Sequence, residues 1–229
     1  MNGVILAIMI AAGYLSGSVS YASFITKRVS GKEIREMGSK NPGTLNVGAN
    51  IGRQWGVLVA LLDGSKSFFP MFVTSLVLRG AGESFLFAAV MSVGIAAILG
   101  HWKPVFYRFK GGQCVGTTIG VFLFIIPVEF VFSFLVGGLL IFFVLRNLVE
   151  KWVRWVPLTF IILVPVVTAA ANLLFDVPLF GNVSVGGHPW YWMGGIGAVC
   201  VLMLFINLSY IKTRMKEINR VATDSAPPT

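Results

Sequence analysis

Residues 114–145 read CVGTTIGVFLFIIPVEFVFSFLVGGLLIFFVL, apolar throughout apart from Glu129. A helix that crosses a bilayer needs about 20 apolar residues. These thirty-two are therefore one very long helix or two short ones broken near Pro127. The flanking charges decide between them. Lys110 stands before the stretch, and Arg146, Lys151 and Arg154 stand after it. One helix would put those cations on opposite sides. Two put them on the same side, with Glu129 at the far turn, as the cytoplasmic excess of Lys and Arg demands. The stretch predicts two helices.

Working outward, the remaining apolar runs fall at 4–26, 55–78, 85–99, 157–175 and 190–211. The sum is an all-α, polytopic membrane protein with seven transmembrane helices, N-terminus outside and C-terminus cytoplasmic. All of the 18 Lys and Arg except Arg79 and Lys66 then face the cytoplasm. A six-span arrangement satisfies fewer charges. The first run starts without Lys or Arg, unlike a signal peptide, and is expected to be retained. Its Gly13 and Gly17 have the spacing of close helix packing. Residues 1–215 read as one integral membrane domain. Residues 216–229 read as a short basic tail, disordered and cytoplasmic, ending in Ala226-Pro227-Pro228-Thr229.

Composition agrees. The chain has 229 residues, 56% hydrophobic and 12% charged, where a soluble domain carries roughly 25% charged. The formal charge of +9 sits at the ends of apolar runs and speaks against nucleic acid. Two cysteines, Cys114 and Cys200, give no disulfide framework.

Two polar islands break the apolar pattern on the predicted cytoplasmic side. One is Gly38-Ser39-Lys40-Asn41-Pro42-Gly43-Thr44-Leu45-Asn46-Val47; the other is Phe109-Lys110-Gly111-Gly112-Gln113-Cys114-Val115-Gly116-Thr117. Glycine lets a backbone turn its N–H groups inward, and such nests with lysine, serine and asparagine suit an oxyanion. Within the 55–78 span, Asp63 and Lys66 lie at i and i+3 on one helix face. Charges inside a membrane face a cavity and a partner. This pair is either a mutual salt bridge or the wall of a pocket in which Lys66 meets an anion. His101 opens the second island, where a lone histidine commonly anchors a span end. His188 lies beside Pro189 and Trp190 in a Lys/Arg-free loop, which suggests an aromatic-belt role.

Several chemistries are excluded. There is no Gly-x-Ser-x-Gly elbow, no Gly-x4-Gly-Lys-Ser/Thr loop, no His-x4-Asp pair and no ligand cluster for a metal.

Four motifs together carry a resemblance. Tyr14-Leu15-x-Gly17-Ser18, Gly38-Ser39-x-Asn41-Pro42-Gly43-x-x-Asn46-Val47, Asp63-x-x-Lys66 with Pro70, and Gly100-His101-x-x-Pro104-Val105-Phe106-x-x-Phe109-Lys110-Gly111-Gly112 stand in the order and spacing found in one family. The chain resembles the bacterial acyl-phosphate glycerol-3-phosphate acyltransferases of the PlsY type. The resemblance implies a seven-span inner-membrane enzyme with its site facing the cytoplasm. It would move a fatty acyl group from acyl phosphate to glycerol 3-phosphate, giving lysophosphatidic acid for phospholipid synthesis. It needs no cofactor and no metal, and no obligate protein partner is readable. Its partners are the two substrates and membrane lipids.

Residue types and resemblance together single out Ser39, Lys110 and His101 for catalysis. For substrate or phosphate binding they single out Gly38, Asn41, Gly43, Asn46, Asp63, Lys66, Gly111, Gly112 and Thr117. The chain departs from the family pattern at Ala49, Gln113, Asn207 and Tyr210, which stand where the family has Arg, Lys, His and Asn. Arg53 and Arg214 are possible substitutes. The competing expectation is a non-catalytic or transport-type membrane protein that keeps the fold and an anion-binding pocket.

Overall fold

The computed structural model describes residues 2–144, 149–180 and 183–224. The decisive stretch is two helices: α6 spans Val115–Ile125 and α7 spans Pro127–Val144. Ile126 leaves helical geometry between them (φ −133°, ψ 58°). Proline forces this break, because it lacks the N–H that α6 would use to continue, yet fits the first position of a new helix.

Before these, the chain forms α1 (Asn2–Ser18), α2 (Tyr21–Ser30), α3 (Thr44–Asn50), α4 (Arg53–Val77) and α5 (Glu83–Trp102). After them come α8 (Val149–Leu174), strands β1 (Asp176–Phe180) and β2 (Val183–Gly186), and α9 (Trp190–Asp224). The stretches 2–30, 53–77, 83–107 and 190–209 are long and apolar enough to cross a membrane, and 115–125, 127–139 and 161–174 are shorter apolar helices. Val4, Leu61, Phe69, Phe132 and Val201 are exposed on them, as lipid-facing side chains should be.

Four features depart from the sequence reading. The first apolar run is divided at Val19, because Ser20 adopts extended geometry and caps α2 by accepting from the Ser23 N–H. The polar stretch 27–53 between the first two apolar runs, where the sequence reading named no helix, contains a 3-10 turn at Ile34–Glu36 and α3. The fold is also not all helix. Within the loop after α8, β1 and β2 pair antiparallel, with Asp176 opposite Gly186 and Val177 opposite Val185. Finally, α9 runs helically to Asp224, through part of the stretch read as a disordered tail. Residues 225–229 lie outside the described residues, as does Arg146.

Two glycine seams set the frame. A Cβ on Gly17 would collide with the Ala97 carbonyl, and one on Gly100 with the Tyr14 carbonyl, so α1 and α5 meet backbone to backbone. Likewise a Cβ on Gly120 would strike the Gly64 carbonyl, and one on Gly116 would lie 2.8 Å from Asp63 Cβ, which binds α6 to α4. Met71, Val93, Ile98, Val121, Phe122, Ile126, Ile196 and Met203 fill the core between these helices and α9.

At the end of the bundle away from the islands, Glu129 in the first turn of α7 is buried. Its Oε1 sits 3.0 Å from His188 Nε2 and accepts from the Gly186 N–H at 3.0 Å. The His188 backbone is clasped twice by the Asn172 side chain, at 2.9 Å each way. His188 thus ties the hairpin to α7 and α8, a more specific role than a belt residue.

Candidate active site

The floor of the site is built from three helices that the seams hold together. On α4, Asp63 and Lys66 point inward on one face, and Lys66 Nζ lies 2.6 Å from Asp63 Oδ1. The last turn of α5 brings His101 Nδ1 to 3.1 Å from Lys66 Nζ. The first turn of α6 brings Thr117 Oγ1 to 3.2 Å from the same ring nitrogen. Ser67 Oγ donates to the Thr117 carbonyl at 2.7 Å, locking α6 to α4 at this level. All of these residues are buried, and the Lys66 side chain is 1% exposed.

This geometry fixes a tautomer. A lysine ammonium can only donate, so His101 Nδ1 accepts and the ring carries its proton on Nε2. That nitrogen faces Gly112, whose added Cβ would lie 2.7 Å from it and 3.3 Å from Asn41 Oδ1. His101 therefore presents an N–H toward the meeting point of the two islands. Asp63 neutralises Lys66, as a buried cation requires, so of the two alternatives set apart on sequence the mutual salt bridge is formed.

The first island is folded around Asn46. Its Nδ2 donates to the carbonyls of Met37 (2.9 Å), Asn41 (3.0 Å) and Ile34 (3.2 Å). Its Oδ1 accepts from the Ser39 N–H at 3.1 Å and from Asn50 Nδ2 at 2.9 Å. Every polar atom of Asn46 is committed within the protein, which makes it a positioning residue. Gly38 has φ +49°, and a Cβ there would run into Asn46 Oδ1. Gly43 is the N-cap of α3.

The second island folds back on the end of α5. The Gly112 N–H donates to the His101 carbonyl at 3.1 Å, and a Cβ on Gly111 would collide with the His101 and Trp102 carbonyls. Cys114 adopts φ +64° although it is not glycine, and its Sγ lies 3.4 Å from the Ile98 carbonyl. Its side chain is buried and serves as packing.

Arg35 joins the two islands, and the sequence reading passed it over as one more topological cation. Its Nη1 donates to the Lys110 carbonyl, and its guanidinium lies 4.7 Å from the centre of the Tyr107 ring. Its Nε is 3.9 Å from Glu33 Oε1, which itself accepts from Ser23 Oγ at 2.8 Å. Burial pulls the guanidinium below its usual range, opposed by Glu33 and Tyr107, and an arginine stays charged through such a change. A signal was available: Ile34, fully buried, is an isolated isoleucine in a polar stretch and carries its neighbour inward.

Between these parts runs a narrow cleft lined by Ser18 and Ser20 at the α1–α2 corner and by Arg35, Lys66, His101 and Gly112. Of the residues singled out on sequence, Lys66, His101, Gly111 and Gly112 line it; Asp63 and Thr117 stand behind them, against Lys66 and His101, and Asn41 lies near Gly112. Gly38, Gly43 and Asn46 shape the first island. Ser39 and Lys110 are exposed, and neither is among the residues lining the cleft. Of the departures, Ala49 is exposed on α3. Asn207 of α9 is buried and donates to the Gln113 carbonyl at 3.3 Å, while its Oδ1 has no partner among the described residues. The side chains of Tyr210 and Arg214 lie outside the described residues.

Comparison with known proteins shows the family. Residues 7–222 match the family described as glycerol-3-phosphate acyltransferase. A glycerol-3-phosphate acyltransferase from Leptospira borgpetersenii serovar Hardjo-bovis (strain JB197) is 32% identical over 228 residues, covering 98% of this chain and 90% of that one. One from Mycoplasma mycoides subsp. mycoides SC is 37% identical over 134 residues, 58% of this chain and 51% of that one. The crystal structure of PlsY, an integral membrane glycerol 3-phosphate acyltransferase, superposes in its glycerol 3-phosphate form with a TM-score of 0.65 at 30% identity, covering 98% of this chain and 95% of that one. Its lysophosphatidic acid form gives 0.63 at 28% identity, covering 97% and 94%. This chain belongs to the glycerol-3-phosphate acyltransferase family.

Proposed function

We propose that the protein transfers a fatty acyl group from acyl phosphate to the sn-1 hydroxyl of glycerol 3-phosphate, releasing lysophosphatidic acid and inorganic phosphate. The observation that carries the reading is the Lys66–His101 hydrogen bond beneath the two islands, which holds an N–H donor at the cleft. The acceptor hydroxyl oxygen attacks the carbonyl carbon, and the carbon–oxygen bond to phosphate breaks. The hydroxyl proton leaves on the departing phosphate. An acyl phosphate is already activated, so positioning and oxyanion stabilisation carry the rate. His101 Nε2–H and Arg35 supply positive potential in the cleft, and Lys66, neutralised by Asp63, orients His101. Ser39 and Lys110, exposed on the two islands, are assigned to grip substrate phosphate as it enters.

The orientation belongs to the same proposal: seven spans, N-terminus outside, C-terminus inside, and a site open to the cytoplasm of the inner membrane. The distribution of Lys and Arg supports it. A single cysteine at Ser184, in β2, should react with an impermeant maleimide only from outside. Reaction only from the cytoplasmic side would overturn the orientation.

Purified protein assayed with palmitoyl phosphate and labelled glycerol 3-phosphate tests the reaction. Ser39→Ala and Lys110→Ala should each lower transfer by about 10- to 100-fold, the scale of a lost charge-assisted hydrogen bond to phosphate. Wild-type rates in both folded variants would defeat the site assignment. The substitutions at Ala49, Gln113, Asn207 and Tyr210 weaken the acceptor half of the site. Restoring Arg, Lys, His and Asn at the four positions together should raise kcat/KM for glycerol 3-phosphate.

A further inference from the structure

At the end of the bundle opposite the islands, a cavity of about 550 Å³ opens between α4, α5, the α6–α7 corner, the hairpin and α9. That volume is within the range of ligand pockets. Its wall is apolar, formed by Leu86, Phe87, Val90, Phe124 and Ile125, while Glu83, Ser75, Ser184 and His188 also border it. One side is rigid. The Phe87 ring stacks on Trp192 at 4.8 Å, and Trp192 stacks on His188 at 4.5 Å. His188 is held from behind by Glu129, whose Oε2 is buried with no partner among the described residues.

The charge at this cavity is one-sided. Glu83 accepts from the Tyr191 hydroxyl at 3.2 Å and makes no ion pair among the described residues. Among the described residues no Lys or Arg borders the cavity, Arg79 in the turn before α5 included, and the stretch 176–189 contains none. An anionic headgroup would meet a carboxylate here with no cation to hold it. A small soluble cation would leave the apolar wall empty.

We propose that this cavity binds an amine-bearing phospholipid from the leaflet opposite the site, with its ammonium on Glu83 and its chains along the Leu86–Ile125 wall. A primary ammonium donates to a carboxylate in a charge-assisted bond, and the tilted Tyr191 ring 5.4 Å from Phe87 adds an aromatic face beside it. The proposal does not depend on acyl transfer, since none of these residues belongs to the cleft.

Native mass spectrometry of the detergent-purified full chain tests it, using equimolar phosphatidylethanolamine, phosphatidylcholine and phosphatidylglycerol with identical chains. The expected result is ethanolamine lipid retained at least about fivefold over glycerol lipid, the preference falling to parity in Glu83→Gln. Ser75→Trp, which fills the mouth from α4 and leaves the charge in place, should lower retention of all three lipids. Acyl transfer should be unchanged in Glu83→Gln, so loss of transfer elsewhere has no bearing on the outcome. Parity in the wild type, which marks a cavity that takes chains alone, overturns the proposal. So does an unchanged preference in Glu83→Gln.

Discussion

Replacing Asn46 separates a residue that positions the first island from one that touches substrate. Its amide has two hydrogens, shared among three carbonyls at 2.9–3.2 Å, and its oxygen accepts from Ser39 and Asn50. Asn46→Ala therefore removes four hydrogen bonds at a time. At a net 0.5–1.5 kcal/mol each, the loss is about 2–6 kcal/mol, concentrated on residues 34–46. Every 1.4 kcal/mol is tenfold in an equilibrium, so local opening of the island should rise at least roughly 30-fold. Asn46→Asp is the sharper variant. It keeps the shape and the acceptor but turns a carboxylate oxygen toward three carbonyls, and should open the island as much as Ala or more. The assay is the initial rate of tryptic cleavage after Lys40, which is exposed in this island. Such cleavage follows the open population when reclosing is fast. Acyl transfer is measured on the same samples. If Asn46→Asp lost transfer while cleavage stayed at the wild-type rate, Asn46 would be acting on substrate and the positioning argument would fail.

Three further outcomes are expected. Lys66→Met should destabilise the fold by about 3–5 kcal/mol, because it strands the Asp63 carboxylate in a buried site; adding Asp63→Asn should recover much of the melting temperature but not transfer, since His101 still lacks the donor that orients it. Gly111→Ala should abolish transfer and broaden melting, as no flexible side chain can yield to the new methyl, only the His101 and Trp102 carbonyls; normal melting and activity would contradict the close approach. Cys114→Val should melt below Cys114→Ala despite its closer volume, because a β-branched residue is a genuine outlier at φ +64°, and the reverse order would show that packing outweighs backbone there.

The sequence made the helical frame legible where the physics is local. Pro127 marked the α6–α7 corner, the Gly13–Gly17 spacing marked the α1–α5 seam, and the i, i+3 spacing placed Asp63 beside Lys66. Short elements were not legible. The stretch Thr44–Asn50 is too brief and polar to show a helical period, and the break at Val19 lies inside an apolar run. The hairpin alternates over only four or five residues, in a Pro- and Gly-rich segment. Long-range partners were hidden for a different reason. Nothing near Arg35 announces that its acceptor is the Lys110 carbonyl, and the role of Asn46 depends on three carbonyls that face it only once the island has closed.

The glycine seams have a consequence for how this protein can change. Where α1 meets α5 at Gly17 and Gly100, and α6 meets α4 at Gly120, helix lies on backbone carbonyl, so at those points there is no intervening side chain with a second rotamer to offer. A ligand cannot be accommodated there by repacking, and a helix cannot slide without driving a carbonyl into a Cα. Adjustment is left to the parts that rest on side-chain hydrogen bonds: the Asn46 island, the Arg35 tether and the serine corner between α1 and α2. Selection for a new acceptor should therefore leave its substitutions in those segments and keep the seam glycines unchanged.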